Sequence, residues 1–280
     1  MAETTEISAQ RTRTRQLIWP REHGAWGILF VPLLTGAWIG LAEAGSIARV
    51  LLLAVAAFSL FCLRTPVESL LGTAPVRVAN RRERSIVLRF AVLFASASAI
   101  SLAGLFWRGN NLGLLLLGVV AAVLFAAQLL VKRLGRKTRM ASQVIGALGL
   151  TATAPAAYYA ASGGLDVVAY GLWFANWIFA GNQIHFVQLR LHASRCRTWQ
   201  ERWKQGRGFF LGQFIMMMAL IVAWAFRVVP GLVFVAFVPI FVRGTMWFLA
   251  PPGPLKLHRL GLSELAHSIA FGTLLVICLI

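Results

Sequence analysis

Apolar residues run through the chain in blocks long enough to cross a bilayer, separated by short polar or basic connections. Nine such blocks are legible, at about 23–42, 47–70, 87–107, 112–131, 141–161, 165–188, 209–226, 230–249 and 263–280. They are too long and too continuous for barrel strands, and backbone polar groups in hydrocarbon must bond internally, so each predicts a helix. The expected fold is all-α: a polytopic transmembrane helix bundle of about nine spans, with residues 1–19 as a basic cytoplasmic tail and 20–280 as a single transmembrane domain. Shifting the pattern by four spans preserves orientation, so spans 1–4 and 5–8 are candidates for a parallel internal repeat.

Composition strengthens this reading. Of the 280 residues 59% are hydrophobic and only 13% are charged, about half the charged share of a soluble domain. This excludes a disordered chain, a secreted disulfide scaffold and an ordinary cytosolic enzyme. Cys62, Cys196 and Cys278 are an odd set with no CxxC spacing, which argues against a disulfide framework or a thiolate metal site. No cleavable leader is expected before the first span, because residues 1–16 are polar and carry Arg11, Arg13 and Arg15.

The net charge of +18 would suggest nucleic acid in a soluble protein. Here its distribution follows topology. The N-terminal tail and the connections after spans 2, 4, 6 and 8 hold four, six, five, six and two Lys or Arg, counting Arg64 and Arg89 at the span ends that flank the second of these; the opposite side holds only Arg49, Arg108 and Arg227. The positive-inside rule then places the N-terminus in the cytoplasm and the C-terminus outside. The expected partners are the bilayer and anionic lipid at the cytoplasmic face, with no nucleic acid.

Ionisable and amide groups inside spans are costly, which makes them the informative positions. Pro20-Arg21-Glu22-His23-Gly24-Ala25-Trp26-Gly27 opens span 1. It reads either as an interfacial cap flanked by Trp19 and Trp26, or as a cavity-facing Glu–His pair able to relay protons. Arg64 and Glu68 bracket Pro66 in span 2 and share a helix face. They suit a structural ion pair, or an Arg that binds an anionic head group and is held by Glu68. Span 6 ends in Asn182, Gln183, His185, Gln188 and Arg190, with Gln183, Phe186 and Arg190 on one stripe and Asn182, His185 and Leu189 on the next. Arg243 in span 8 needs a partner in low dielectric, and Glu264 in span 9, with His267 one turn on, is the expected one. Glu22, His23, Glu68 and His185 are the candidate acids and bases; Arg21, Arg64, Asn182, Gln183, Gln188, Arg190, Arg243, Glu264 and His267 are the candidate binding residues. No P-loop, GxGxxG, HExxH or GxSxG motif is present, and no cofactor or metal is assigned.

The segment from Pro20 to Gly27, with His185-Phe186-Val187-Gln188-Leu189-Arg190, Arg243 and Leu260-Gly261-Leu262-Ser263-Glu264, resembles the YwiC-like family of bacterial membrane proteins. The resemblance implies a multi-pass protein of the bacterial inner membrane and names no reaction. The layout is also similar, more distantly, to UbiA-type prenyltransferases, whose nine helices carry two Asp-rich Mg²⁺ motifs at the cytoplasmic ends of helices 2 and 6. At those places this chain has Arg64, Glu68, His185, Gln188 and Arg190, and Asp166 is its only aspartate. Three functions therefore stand open. The first is a protein whose cytoplasm-facing cavity binds or modifies an anionic, amphipathic isoprenoid or lipid. The others are a proton-coupled transporter of a small solute and a non-catalytic accessory protein.

Overall fold

The computed structural model describes residues 10, 12–20, 23–43, 45–72, 74, 76–107, 111–135, 138–196, 198–249 and 255–280, with the side chains of His23 and Arg195 left out. All regular structure among them is helical: α1 (His23–Ala42), α2 (Ile47–Leu70), α3 (Arg81–Trp107), α4 (Leu112–Arg133), α5 (Arg139–Thr151), α6 (Thr153–Ser162), α7 (Val167–His192), α8 (Trp199–Ala225), α9 (Val233–Leu249) and α10 (Leu257–Leu279). Among the described residues seven segments are long and apolar enough to cross a membrane: α1, α2, α3, α4, the α5–α6 pair, α8 and α10. α9 is equally apolar but has 17 residues, about 25 Å of helix at 1.5 Å per residue. α7 has 26 residues and carries the polar groups of predicted span 6. The chain is a multi-pass membrane protein.

Three helices begin earlier than the apolar pattern suggests. α3 starts at Arg81, where the Asn80 side chain accepts the Glu83 N–H at 2.8 Å. α8 starts at Trp199 behind a capping box: Thr198 Oγ1 accepts the Glu201 N–H at 3.3 Å, and Glu201 accepts the Thr198 N–H at 3.4 Å. α10 starts at Leu257. In each case the first turns are basic, and polarity there marks a helix end leaving hydrocarbon. Thr198→Ala should therefore cost about 1 kcal/mol, read as a lower unfolding temperature in detergent. The predicted span at 141–161 is two helices. Pro155 has no N–H to offer the Thr151 carbonyl, so the ladder breaks at Ala152, and the hydroxyls of Thr151 and Thr153 turn back onto Leu148 and Leu150.

The chain divides into two units. The first contains residues up to His23 and Ile47–Asn111. Its α2–α3 hairpin is joined by a short helix over 12–18, where Leu17 and Ile18 are buried and Ser69 Oγ donates to the Leu17 carbonyl at 3.3 Å. Arg13 Nε meets Glu83 Oε1 at 2.7 Å, and this bond and charge hold the Arg13 guanidinium above its ordinary range. At the hairpin's other end Arg49 donates to Asn111 Oδ1 at 2.6 Å.

The second unit holds Gly24–Ser46 and Leu112–Ile280, hence α1 and α4 to α10. Its core centres on Phe271 of α10, stacked on Phe179 of α7 at 4.0 Å and edge-on to Phe237 of α9 at 5.2 Å. α1 crosses α6 through small residues: Gly36 faces the Ala154 carbonyl, and Gly40 faces Tyr158 and Ala161.

Candidate functional site

The second unit gathers most of the polar residues of α7, α9 and α10. Asp166 caps α7, accepting the Val168 and Ala169 N–H groups at 3.0 and 3.1 Å. From there the stripe Asn176, Gln183, Phe186 and Arg190 runs along one face toward the helix's C-terminal end, at i+7, i+10 and i+14. Gln183 Nε2 donates to the Glu264 carbonyl and to Ser268 Oγ, both at 2.9 Å, which ties α7 to α10.

Arg243 and Glu264 pair as their spacing predicted. Arg243 Nη1 meets Glu264 Oε2 at 2.5 Å, and the two side chains are only 7% and 5% exposed. Nη2 donates to Asn182 Oδ1 at 3.0 Å, and the guanidinium lies over the Phe186 ring at 4.1 Å. Three buried atoms of this group find no partner among the described residues: Arg243 Nε, Glu264 Oε1 and Gln183 Oε1. The pair is fixed in place but not saturated.

Arg243 is also part of the wall of a cavity of about 690 Å³, which opens between the C-terminal end of α7, the start of α8, α9 and the start of α10. Five permanent cations line it, Arg190, Arg202, Arg243, Lys256 and Arg259, and His267 adds a sixth basic group. No carboxylate is among the described lining residues. Apolar side chains, among them Phe186, Val242, Met246 and Leu260, line the same cavity. Arg202 is buried and anchored, donating to the Trp247 carbonyl with its guanidinium 4.6 Å from the centre of the Trp247 ring. His267 Nδ1 is 2.7 Å from the Ser263 carbonyl, one turn back. Cations and apolar side chains lining one cavity suit a molecule with an anionic head and a hydrocarbon body.

The remaining predicted residues lie elsewhere. His185 turns its ring edge to Phe209 of α8, with centroids 5.3 Å apart, and is not among the cavity's lining residues. Gln188 donates to Gln143 of α5 at 3.1 Å. Arg64 and Glu68 pair at 3.0 Å within the first unit. Arg21, Glu22 and the His23 side chain lie outside the described residues. Arg202, Lys256 and Arg259 line the cavity although the apolar pattern alone leaves them in connections. For Arg202 a signal existed in Thr198-x-x-Glu201, which starts the helix early enough to place Arg202, Gly206 and Phe209 on one buried stripe.

Two comparisons bear on the chain as a whole. Residues 19–158 match the family model described as YwiC-like protein. No curated protein matches the chain.

Proposed function

The chain belongs to the YwiC-like family, and on that premise we propose that its basic cavity binds the anionic head of an amphipathic molecule, an isoprenoid or a lipid. One observation carries the reading: six basic side chains converge on one cavity, and the nearby carboxylate, Glu264, is already committed to Arg243. A cluster of cations beside hydrocarbon attracts an anion, and each charge-assisted bond to it is worth about 1.5–3 kcal/mol. The apolar lining explains why the ligand is amphipathic and not a free ion. The charge count along the chain supports placing this end of the unit at the cytoplasmic face, because Arg190, Lys256 and Arg259 belong to the positive side. Arg64 and Glu68 take no part in this reading.

Dioctanoyl phosphatidic acid is a suitable probe, and Trp247 in the cavity wall is a suitable reporter. Titration should quench or shift tryptophan emission saturably. The double variant Arg190→Gln, Arg259→Gln removes two cations that are not buried, so it should fold normally and weaken binding by about tenfold or more. Equal affinity in the variant would contradict the proposal.

A further inference from the structure

Arg243 belongs to two environments at once. One side of it reaches the cavity, where the charged residues among the described lining are all basic; the other side reaches Glu264, which is buried. Its Nε is buried and has no partner among the described residues, so Arg243 is not saturated by Glu264 and Asn182. We propose that an anion entering the cavity takes Arg243 from Glu264, and that Glu264 accepts one proton from solution as this happens, so that anion binding and proton binding are linked. This rests on the anion-site reading above.

Two anions around one guanidinium in a low dielectric repel each other, and the cheaper solution is to neutralise one of them. A sulfate or phosphate head stays charged more readily than a carboxylate, so the proton goes to Glu264. The local hydrogen bonding is prepared for it. Glu264 Oε1 and Gln183 Oε1 are both buried acceptors with no donor. Gln183 is held beside Glu264 through its bond to the Glu264 carbonyl. A proton on Glu264 Oε1 converts that unpaired acceptor into a donor, on a side chain whose neighbour Gln183 has an acceptor unpaired among the described residues. The step breaks the bond to hydrogen in an acid of the solution, hydronium or buffer, and leaves its conjugate base there; it makes an O–H bond on the carboxyl group, releases the Arg243–Glu264 ion pair and forms an Arg243–anion pair, and no other group of the protein changes in charge.

Among the described residues the charged and titratable groups facing Glu264 are few. α9 presents Arg243. α7 presents the neutral Asn182 and Gln183, with Arg190 further along at the cavity and His185 turned to α8. α10 itself supplies His267 and, toward its start, Arg259. α1 packs on α10 through Gly27 and Val31 and has no ionisable residue over 24–42. His267 is therefore the competing proton acceptor, and the test must separate it from Glu264.

The test is calorimetric titration of the full chain in nanodiscs with decyl sulfate, whose head does not titrate near neutral pH, against empty nanodiscs. Buffers of different ionisation heat at one pH give the number of protons taken up. The expected number in the unaltered protein is close to one, with affinity rising up to tenfold for each unit by which pH falls. Glu264→Gln should bind with no uptake and no pH dependence; His267→Gln should weaken binding but keep the uptake. Binding without uptake in the unaltered protein overturns the linkage and leaves the anion site standing, as does uptake that survives Glu264→Gln. Absence of saturable binding overturns the anion site and this linkage together. The unaltered protein alone is decisive if a variant fails to fold.

Discussion

Glu264→Leu should destabilise the protein more than Arg243→Met, although each removes one half of the same ion pair. Removing the acid leaves a guanidinium that is buried and has no counter-ion, and arginine stays protonated. Breaking a buried pair in this way costs about 3–5 kcal/mol. Removing the base leaves a carboxyl group, which takes up a proton and becomes neutral. Met also reaches over Phe186 much as the arginine stem does. The cost of Arg243→Met should therefore be clearly smaller, roughly half. The double variant should recover most of the loss, since a buried pair is often replaceable by apolar residues of similar volume. Thermal unfolding in detergent, followed by folded yield, reads all three. The reverse order of the two single variants would show that the carboxylate, not the guanidinium, is the group that needs its partner.

A comparable loss is expected from Gly36→Val. A Cβ at Gly36 points into the Ala154 carbonyl of α6, and a Cβ at Gly40 meets Tyr158 O and the Ala161 methyl at 2.8 Å. These obstacles are backbone and short side chains, which cannot swing aside. α1 and α6 must separate, and overpacking of this kind costs about 1–3 kcal/mol or more. Gly118→Ala is the control. It lies on an exposed part of α4 with nothing within 4 Å of a new Cβ, so the gain in helix propensity, up to about 1 kcal/mol, should leave stability unchanged or slightly raised. Equal losses at Gly36 and Gly118 would contradict the close α1–α6 crossing.

The helical membrane architecture is legible in the sequence because apolar runs of 18 or more residues have few other physical solutions. α1 and α2 occupy 23–42 and 47–70 as the pattern has them. Where charged residues cover the first turns of a helix, hydropathy stops short of the true start, as at Arg81, Trp199 and Leu257. Caps such as Thr198 and Asn80 carry that boundary instead. The Arg243–Glu264 pair is legible because a charge inside one span and an acid early in the next have strong reason to meet. Asn182 and Gln183 join it. His185 and Gln188 do not, since each step of 100° along α7 turns a side chain to a different neighbour, here α8 and α5. The cavity itself is not legible, because it joins the ends of four elements whose order in space the linear pattern does not contain.

The central claim is that the basic cavity holds an anionic amphiphile. Native mass spectrometry tests it most directly, with the full chain in mild detergent offered equal amounts of phosphatidic acid and phosphatidylcholine of the same chain length. The account predicts one phosphatidic acid retained per chain in preference to phosphatidylcholine, and loss of that preference in the Arg190→Gln, Arg259→Gln variant. Equal retention of the two lipids by the unaltered chain, or an undiminished preference in the variant, would contradict it.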